Sequence, residues 1–171
     1  VTEKCNYSDY QCRGGTVSVN VKVTDRLTPE GRRFMQQIKE LSELEVRIGF
    51  QQGEAQEDDG TDICDIAAWN ELGTANIPSR PFLRKSVDEN EQAINDFLKD
   101  EMAMLKNGTP AEQILKEIGI FQKGLIQEKI RNGDYVPNAV STIRKKGSAQ
   151  PLIDTGRMRQ SVNYVIKKKG E

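Results

Sequence analysis

The stretch TVSVNVKVTDRLTPEGRRFMQQIKELSELEVRIGF (residues 16–50) decides the fold class. Val17, Val19, Val21 and Val23 alternate with Ser18, Asn20 and Lys22, the period-two pattern of a strand with one buried face. Thr28-Pro29-Glu30 then opens a helix, because a hydroxyl caps free N–H groups and proline suits the first helical position. Phe34, Met35, Ile38 and Leu41 follow at three- to four-residue spacing, so that helix has one apolar face. Val46, Ile48 and Phe50 alternate with Arg47 and Gly49 in a second strand. Strand, helix and strand through short connections predict an α+β fold, a small antiparallel sheet packed against helices.

The remaining sequence extends this pattern. Residues 51–62 (QQGEAQEDDGTD) read as an exposed acidic loop, and Asp62 as the cap of a short helix from Ile63 to Leu72 that Gly73 stops. Ile63, Ile66 and Ala67 face inward in that reading. Pro78 and Pro81 forbid a regular helix across 74–81. One long helix is predicted from Phe82 to about Lys106, with Leu83, Val87, Ile94, Leu98, Met102 and Leu105 as its apolar stripe. Thr109-Pro110-Ala111-Glu112 reads as a capping box, with Pro110 first in the helix. A second long helix follows, carrying Ile114, Leu115, Ile118, Phe121, Leu125 and Ile130 and ending at Asn132-Gly133. Gly119 and Gly124 inside it either permit close packing or mark a bend. Residues 142–147 read as a basic loop, 157–161 as a short helix, and Val162, Tyr164 and Ile166 as a last strand. The division is an N-terminal arm over 1–15 and one α+β domain over 16–171, with at least three strands, two long helices and shorter ones.

Composition narrows the function. Lys plus Arg number 25 and Asp plus Glu 26, a net charge of −1, which argues against an autonomous nucleic-acid binder. The balance hides a split: residues 1–142 hold 17 basic and 24 acidic residues (17 − 24 = −7), and residues 143–171 hold 8 and 2 (8 − 2 = +6). Such polarity suits attraction within a subunit or between neighbours. Only 36% of residues are hydrophobic, a lean core, and the absence of histidine removes the commonest general base and metal ligand. Cys5, Cys12 and Cys64 show no CxxC spacing, so neither a disulfide framework nor a zinc site is expected. No apolar run is long enough to span a bilayer, and the chain is expected to be soluble.

Asp58, Asp59, Asp62 and Asp65 gather at one loop–helix junction, the residue type that holds magnesium in nucleases. An EF-hand register from Asp58 fails, since Ile66 and Trp69 fall on ligand positions. A solvated loop with a helix cap accounts for these carboxylates. Arg144, Lys145, Lys146, Arg157, Arg159 and Lys167–Lys169 form a basic end, but Tyr164 is the only aromatic nearby for stacking on bases. More informative are AAWNELGT (67–74) and IPSRPFLR (77–84), a helix stop beside a proline-braced turn flanked by an aromatic, an amide, a carboxylate and an arginine. Arg80 is placed to pair with Glu71 across it.

Together AAWNELGTANIPSRPFLRKSVDEN (67–90) and PLIDTGRMRQSV (151–162) resemble the family of small head–tail joining or tail-completion proteins of long-tailed bacteriophages, also called neck, minor tail or virion morphogenesis proteins. The shared order is an aliphatic strand pair, A-x-x-N-E-x-G-T, I-P-x-R-P-F, a long helix pair and P-L-x-D-T-G, covering about Thr16 to Lys168. Trp69 stands where the family often has tyrosine. The resemblance implies a structural protein of the virion neck with no catalysis, metal or cofactor. It implies a homo-oligomeric ring that joins tail to head, contacting a neck connector and a tail-tube or tail-terminator protein. Genomic DNA would pass through without sequence-specific binding, and no membrane is involved. Interface or fold-defining roles fall on Trp69, Asn70, Glu71, Gly73, Thr74, Pro78, Arg80, Pro81, Phe82, Asp154, Thr155 and Gly156. The alternative is a phage DNA-binding or metal-dependent DNA-processing protein that uses the carboxylate cluster or the basic end.

Overall fold

The computed structural model describes residues 27–170. The 1–15 arm and the strand expected over Val17–Val23 therefore lie outside the described residues. In chain order the elements are α1 (Pro29–Glu43), β1 (Leu44–Gly49), α2 (Ile63–Leu72), α3 (Phe82–Asp88), α4 (Glu91–Lys106), α5 (Ala111–Asn132), α6 (Val140–Lys146), α7 (Arg157–Gln160) and β2 (Asn163–Lys168). The fold is α+β, as its alternation patterns require, and forms one domain.

Helix α5 is the axis of the molecule. Its buried residues Ile114, Leu115, Gly119, Ile126 and Ile130 recur at helical spacing, and α1, α3, α4, α7 and both strands pack on it. The strands pair antiparallel, with Val46 opposite Ile166 and Ile48 opposite Tyr164. Period-two alternation turns these four residues to one face, and Tyr164 lies directly on Gly119 of α5. The other face carries Glu45 opposite Lys167, a polar surface beyond which no described helix is needed.

Two apolar clusters result. One joins Ile63 and Ala67 of α2, Phe82 of α3, Ile126 and Ile130 of α5, and Leu152, Met158 and Val162. The other joins Leu105, Ala111 and Ile114 to Phe34, Ile38 and Leu41 of α1. Thr28 caps α1 as expected, its hydroxyl accepting from Gly31 N at 3.1 Å. Asp62 likewise caps α2, accepting from Cys64 N at 2.9 Å.

Three local expectations are corrected. The single helix over 82–106 is two, α3 and α4, broken at Glu89-Asn90. There Asn90 donates its side-chain amide to Ser86 O at 3.1 Å, and its own N–H turns to Val87 O, three residues back. Glu89 is held by Lys129 of α5, so the break is anchored from outside. The expected stripe loses its phase there: Leu105 is buried, Val87, Leu98 and Met102 are exposed, and Phe97 stacks on Phe121 at 4.2 Å. The capping box does not form either. Pro110 sits at the cap position, and Ala111 N donates instead to Gln37 Oε1 of α1 at 2.7 Å. Finally, the basic loop is helical as α6, where Arg144, Lys145 and Lys146 occupy the last turn and complement the helix dipole before Gly147 stops it at φ 69°.

The two glycines of α5 separate cleanly. A Cβ on Gly119 would lie 2.5 Å from Tyr164 Cγ, whereas one on Gly124 meets nothing within 4 Å. Gly119→Ala is expected to destabilise by about 1–3 kcal/mol through overpacking against the sheet. Gly124→Ala should stabilise by about 0.5–1 kcal/mol by restoring helix propensity. Urea unfolding of the two variants reads both signs; equal effects would contradict this packing.

Candidate functional site

The second motif segment lies across a cleft from the first, which forms a clasp. The clasp starts at the end of α2, where Gly73 takes φ 80° and its N–H donates to Trp69 O. A side chain cannot stand there, since a Cβ would lie 2.9 Å from Ser79 N. Thr74 folds the following turn: its N–H donates to Ile77 O at 2.8 Å and its hydroxyl accepts from Ile77 N at 3.1 Å. Ser79 Oγ then donates to Glu71 O at 2.8 Å, and Arg80 N to Asn70 O at 2.7 Å, which ties the turn back onto α2.

Glu71 and Arg80 do not pair, contrary to expectation. Pro81 occupies the cap position of α3 and offers no side-chain acceptor, so the first N–H groups of α3 need another partner. Glu71 supplies it: its two carboxylate oxygens accept from Leu83 N at 2.8 Å and Arg84 N at 3.1 Å. Beyond Pro81, Phe82 is fully buried and meets Phe50 edge-on at 5.9 Å, pinning α3 to the core.

Arg80 points the other way and is only 5% exposed. Its Nε donates to Val136 O at 3.0 Å and Nη1 to Asn70 Oδ1 at 3.3 Å. Nη2 donates to Asn138 Oδ1 at 3.1 Å and to Pro137 O at 3.5 Å. All four acceptors are neutral. Burial pulls the Arg80 pKa down, yet a guanidinium keeps its charge. Asn138, itself buried, passes the contact on by donating Nδ2 to Gln150 O at 3.1 Å, and Lys146 Nζ donates to that same carbonyl at 3.3 Å. Burial also lowers the Lys146 pKa, which the charge of Asp154 raises and that of Arg80 lowers further.

The second motif closes the opposite wall. Leu152 is buried in the core, and Asp154 is exposed. Gly156 adopts φ 83° ahead of α7, and the Thr155 hydroxyl accepts from Arg157 N at 3.2 Å while facing Glu57 Oε1 at 3.2 Å. Arg157 pairs with Asp58 at 2.6 Å and with Glu57 at 3.3 Å, fastening the acidic loop to α7. Between the walls lies a cleft of about 800 Å³ lined by Asn70, Pro78, Arg80, Lys146, Asp154 and Thr155, among others.

Of the residues singled out in the sequence, Asn70, Pro78, Arg80, Asp154, Thr155 and Gly156 line this cleft. Glu71, Gly73, Thr74, Pro81 and Phe82 build its support. Trp69 stands apart on the exposed face of α2. Sequence reasoning missed Asn138 and Glu57, because an isolated amide and one carboxylate of an acidic loop carry no periodic signal. The carboxylate cluster is dispersed into local contacts: Asp62 also accepts from Gly53 N at 2.7 Å, and Asp59 accepts from Thr61 N, which lowers its pKa. Among the described residues no group of three or more His, Cys, Asp or Glu is arranged to hold a metal ion, and no helix is long and apolar enough to cross a membrane.

Comparison of the chain with protein-family models, curated proteins and solved structures found no match.

The geometry makes Asn138, rather than Glu71, the energetic partner of Arg80. Double-mutant cycles on urea unfolding are expected to give about 1–3 kcal/mol of coupling for Arg80–Asn138 and a smaller value for Arg80–Glu71. Glu71→Ala should cost about 1 kcal/mol as a lost helix cap. Arg80→Ala should cost more, since it strands several buried acceptors at once.

Proposed function

We propose that this chain is a structural assembly protein of a tailed-bacteriophage neck, forming a ring at the tail-completion or head–tail joining position. The observation that carries the reading is the convergence of its two motif segments, far apart in sequence, on the two walls of one cleft. The segments that build the clasp also leave large apolar side chains in solvent: Trp69, Leu72 (71% exposed), Val136 and Val140. Scattered exposed apolar residues are ordinary, but several of this size beside a rigid turn suit burial in an assembly. The polarity of the chain, −7 over residues 1–142 and +6 over 143–171, favours head-to-tail contacts, as in a ring where each face meets a different face of its neighbour.

In this reading the neighbours are copies of the chain, a neck connector and a tail-tube or tail-terminator protein, and DNA passes through the ring without being read. The clasp sets the angle between α2 and α3, so that the exposed apolar groups arrive at the neighbour already oriented. That lowers the ordering cost of association.

The test is assembly mass. Light scattering of the chain, alone and mixed with connector and tail-tube proteins, should show species larger than a monomer, and imaging of the virion neck should find the chain in a ring. Trp69→Ser with Leu72→Ser should reduce the assembled mass while leaving the urea midpoint nearly unchanged, since both side chains are exposed. A strict monomer in every mixture, together with magnesium-dependent DNA binding or cleavage, would overturn the reading in favour of DNA processing.

A further inference from the structure

The clasp holds two cations, Arg80 and Lys146, whose hydrogen-bond acceptors are all neutral. Arg80 and Lys146 line the same cleft and are linked through the Asn138 amide and the Gln150 carbonyl, a connection two groups long. Arg80 donates to two carbonyls and two side-chain amides, and Lys146 to the carbonyls of Gln150 and Pro151. Among the described residues neither has a carboxylate within ion-pair distance, although seven ion-pair contacts occur elsewhere, mostly at the surface. Neutral acceptors orient a buried cation but do not neutralise it, and an uncompensated charge in a poorly solvated site attracts an anion strongly. Donors remain for one: four of the five guanidinium N–H groups and two of the three ammonium N–H groups are used.

We propose that the Arg80–Lys146 pair receives a single carboxylate, borne by an otherwise apolar or basic segment of a partner protein that lies in this cleft. The rest of the lining selects that class. Ile66, Ile77, Pro78, Leu152 and Met158 offer apolar walls of the kind that hold a peptide. Glu57, Asp58, Asp59 and Asp154 line it too, and their charge repels the repeated phosphates of a nucleic acid. An isolated carboxylate with uncharged or cationic neighbours meets that repulsion once, not at every residue along its length. Asp154, whose charge acts on Lys146, is the resident competitor that the incoming carboxylate must outweigh. The inference rests on the assembly reading only for the source of the segment.

The test uses the full chain and acetate as the carboxylate probe, titrated against chloride at constant ionic strength and followed by nuclear magnetic resonance. Expected are saturable shifts of the Arg80 Nε–Hε and Asn138 side-chain amide signals. Lys146→Gln should weaken the apparent affinity about fivefold or more, and Asp154→Asn should tighten it about threefold, as charge complementarity requires. Both substitutions fall on side chains outside the apolar core, so retained spectra will establish that the variants fold. Linear, unsaturating shifts, or identical titrations in wild type and Lys146→Gln, would overturn the site. Tighter binding of inorganic phosphate or oligothymidylate than of acetate would overturn its assignment to a carboxylate. The isolated chain reports this result at any oligomeric state, so a failed site and a failed ring reading remain distinguishable.

Discussion

The buried guanidinium of Arg80 organises this molecule. It reaches from the turn after α2 to the main chain at Val136 and Pro137 and to the Asn138 amide, so one side chain joins two segments that the apolar clusters alone would leave free to slide. A charge held so deep is costly unless its donors are met, and the surrounding carbonyls meet them. The rest of the site follows. Because Arg80 is committed to residues 136–138, Glu71 is free to cap α3, and because α3 is capped, Phe82 is delivered into the core.

That arrangement places rigidity next to exposure. The clasp is dense in hydrogen bonds, yet α2 presents Trp69 and Leu72 outward, and the start of α6 presents Val140. The cleft beside the clasp carries a second asymmetry: cations beneath, carboxylates along the other wall, and apolar walls between them. Shape, charge and preorganisation are thus combined at one place on the surface.

Much of the fold was legible in the chain because local chemistry decided it. Thr28 and Asp62 cap their helices as their positions imply, Gly73 ends α2 because no Cβ fits there, and alternating aliphatics form β1 and β2. Two of the misreadings, the capping box and the long helix, involve a partner remote in sequence. Thr109 looked like a cap, but Gln37 of α1 takes the first N–H of α5. The helix from Phe82 looked continuous, but Lys129 and the Asn90 amide anchor a break. The candidate site divides the same way. Its motif residues were visible as a proline-braced turn and a glycine-ended loop, while Asn138 and Glu57 gained meaning only where the chain brought them.

Periodicity, caps and turn residues therefore determined most element types, α6 excepted, the α+β class and the two segments that matter, since these depend on neighbours within a few residues. Which charges pair was left to the tertiary structure. An ion pair or a buried hydrogen bond depends on distance in space and on desolvation, and neither is written along the chain. Arg80 and Glu71 lie nine positions apart and find different partners, because the chain brings residues 136–138 to the one and the uncapped start of α3 to the other.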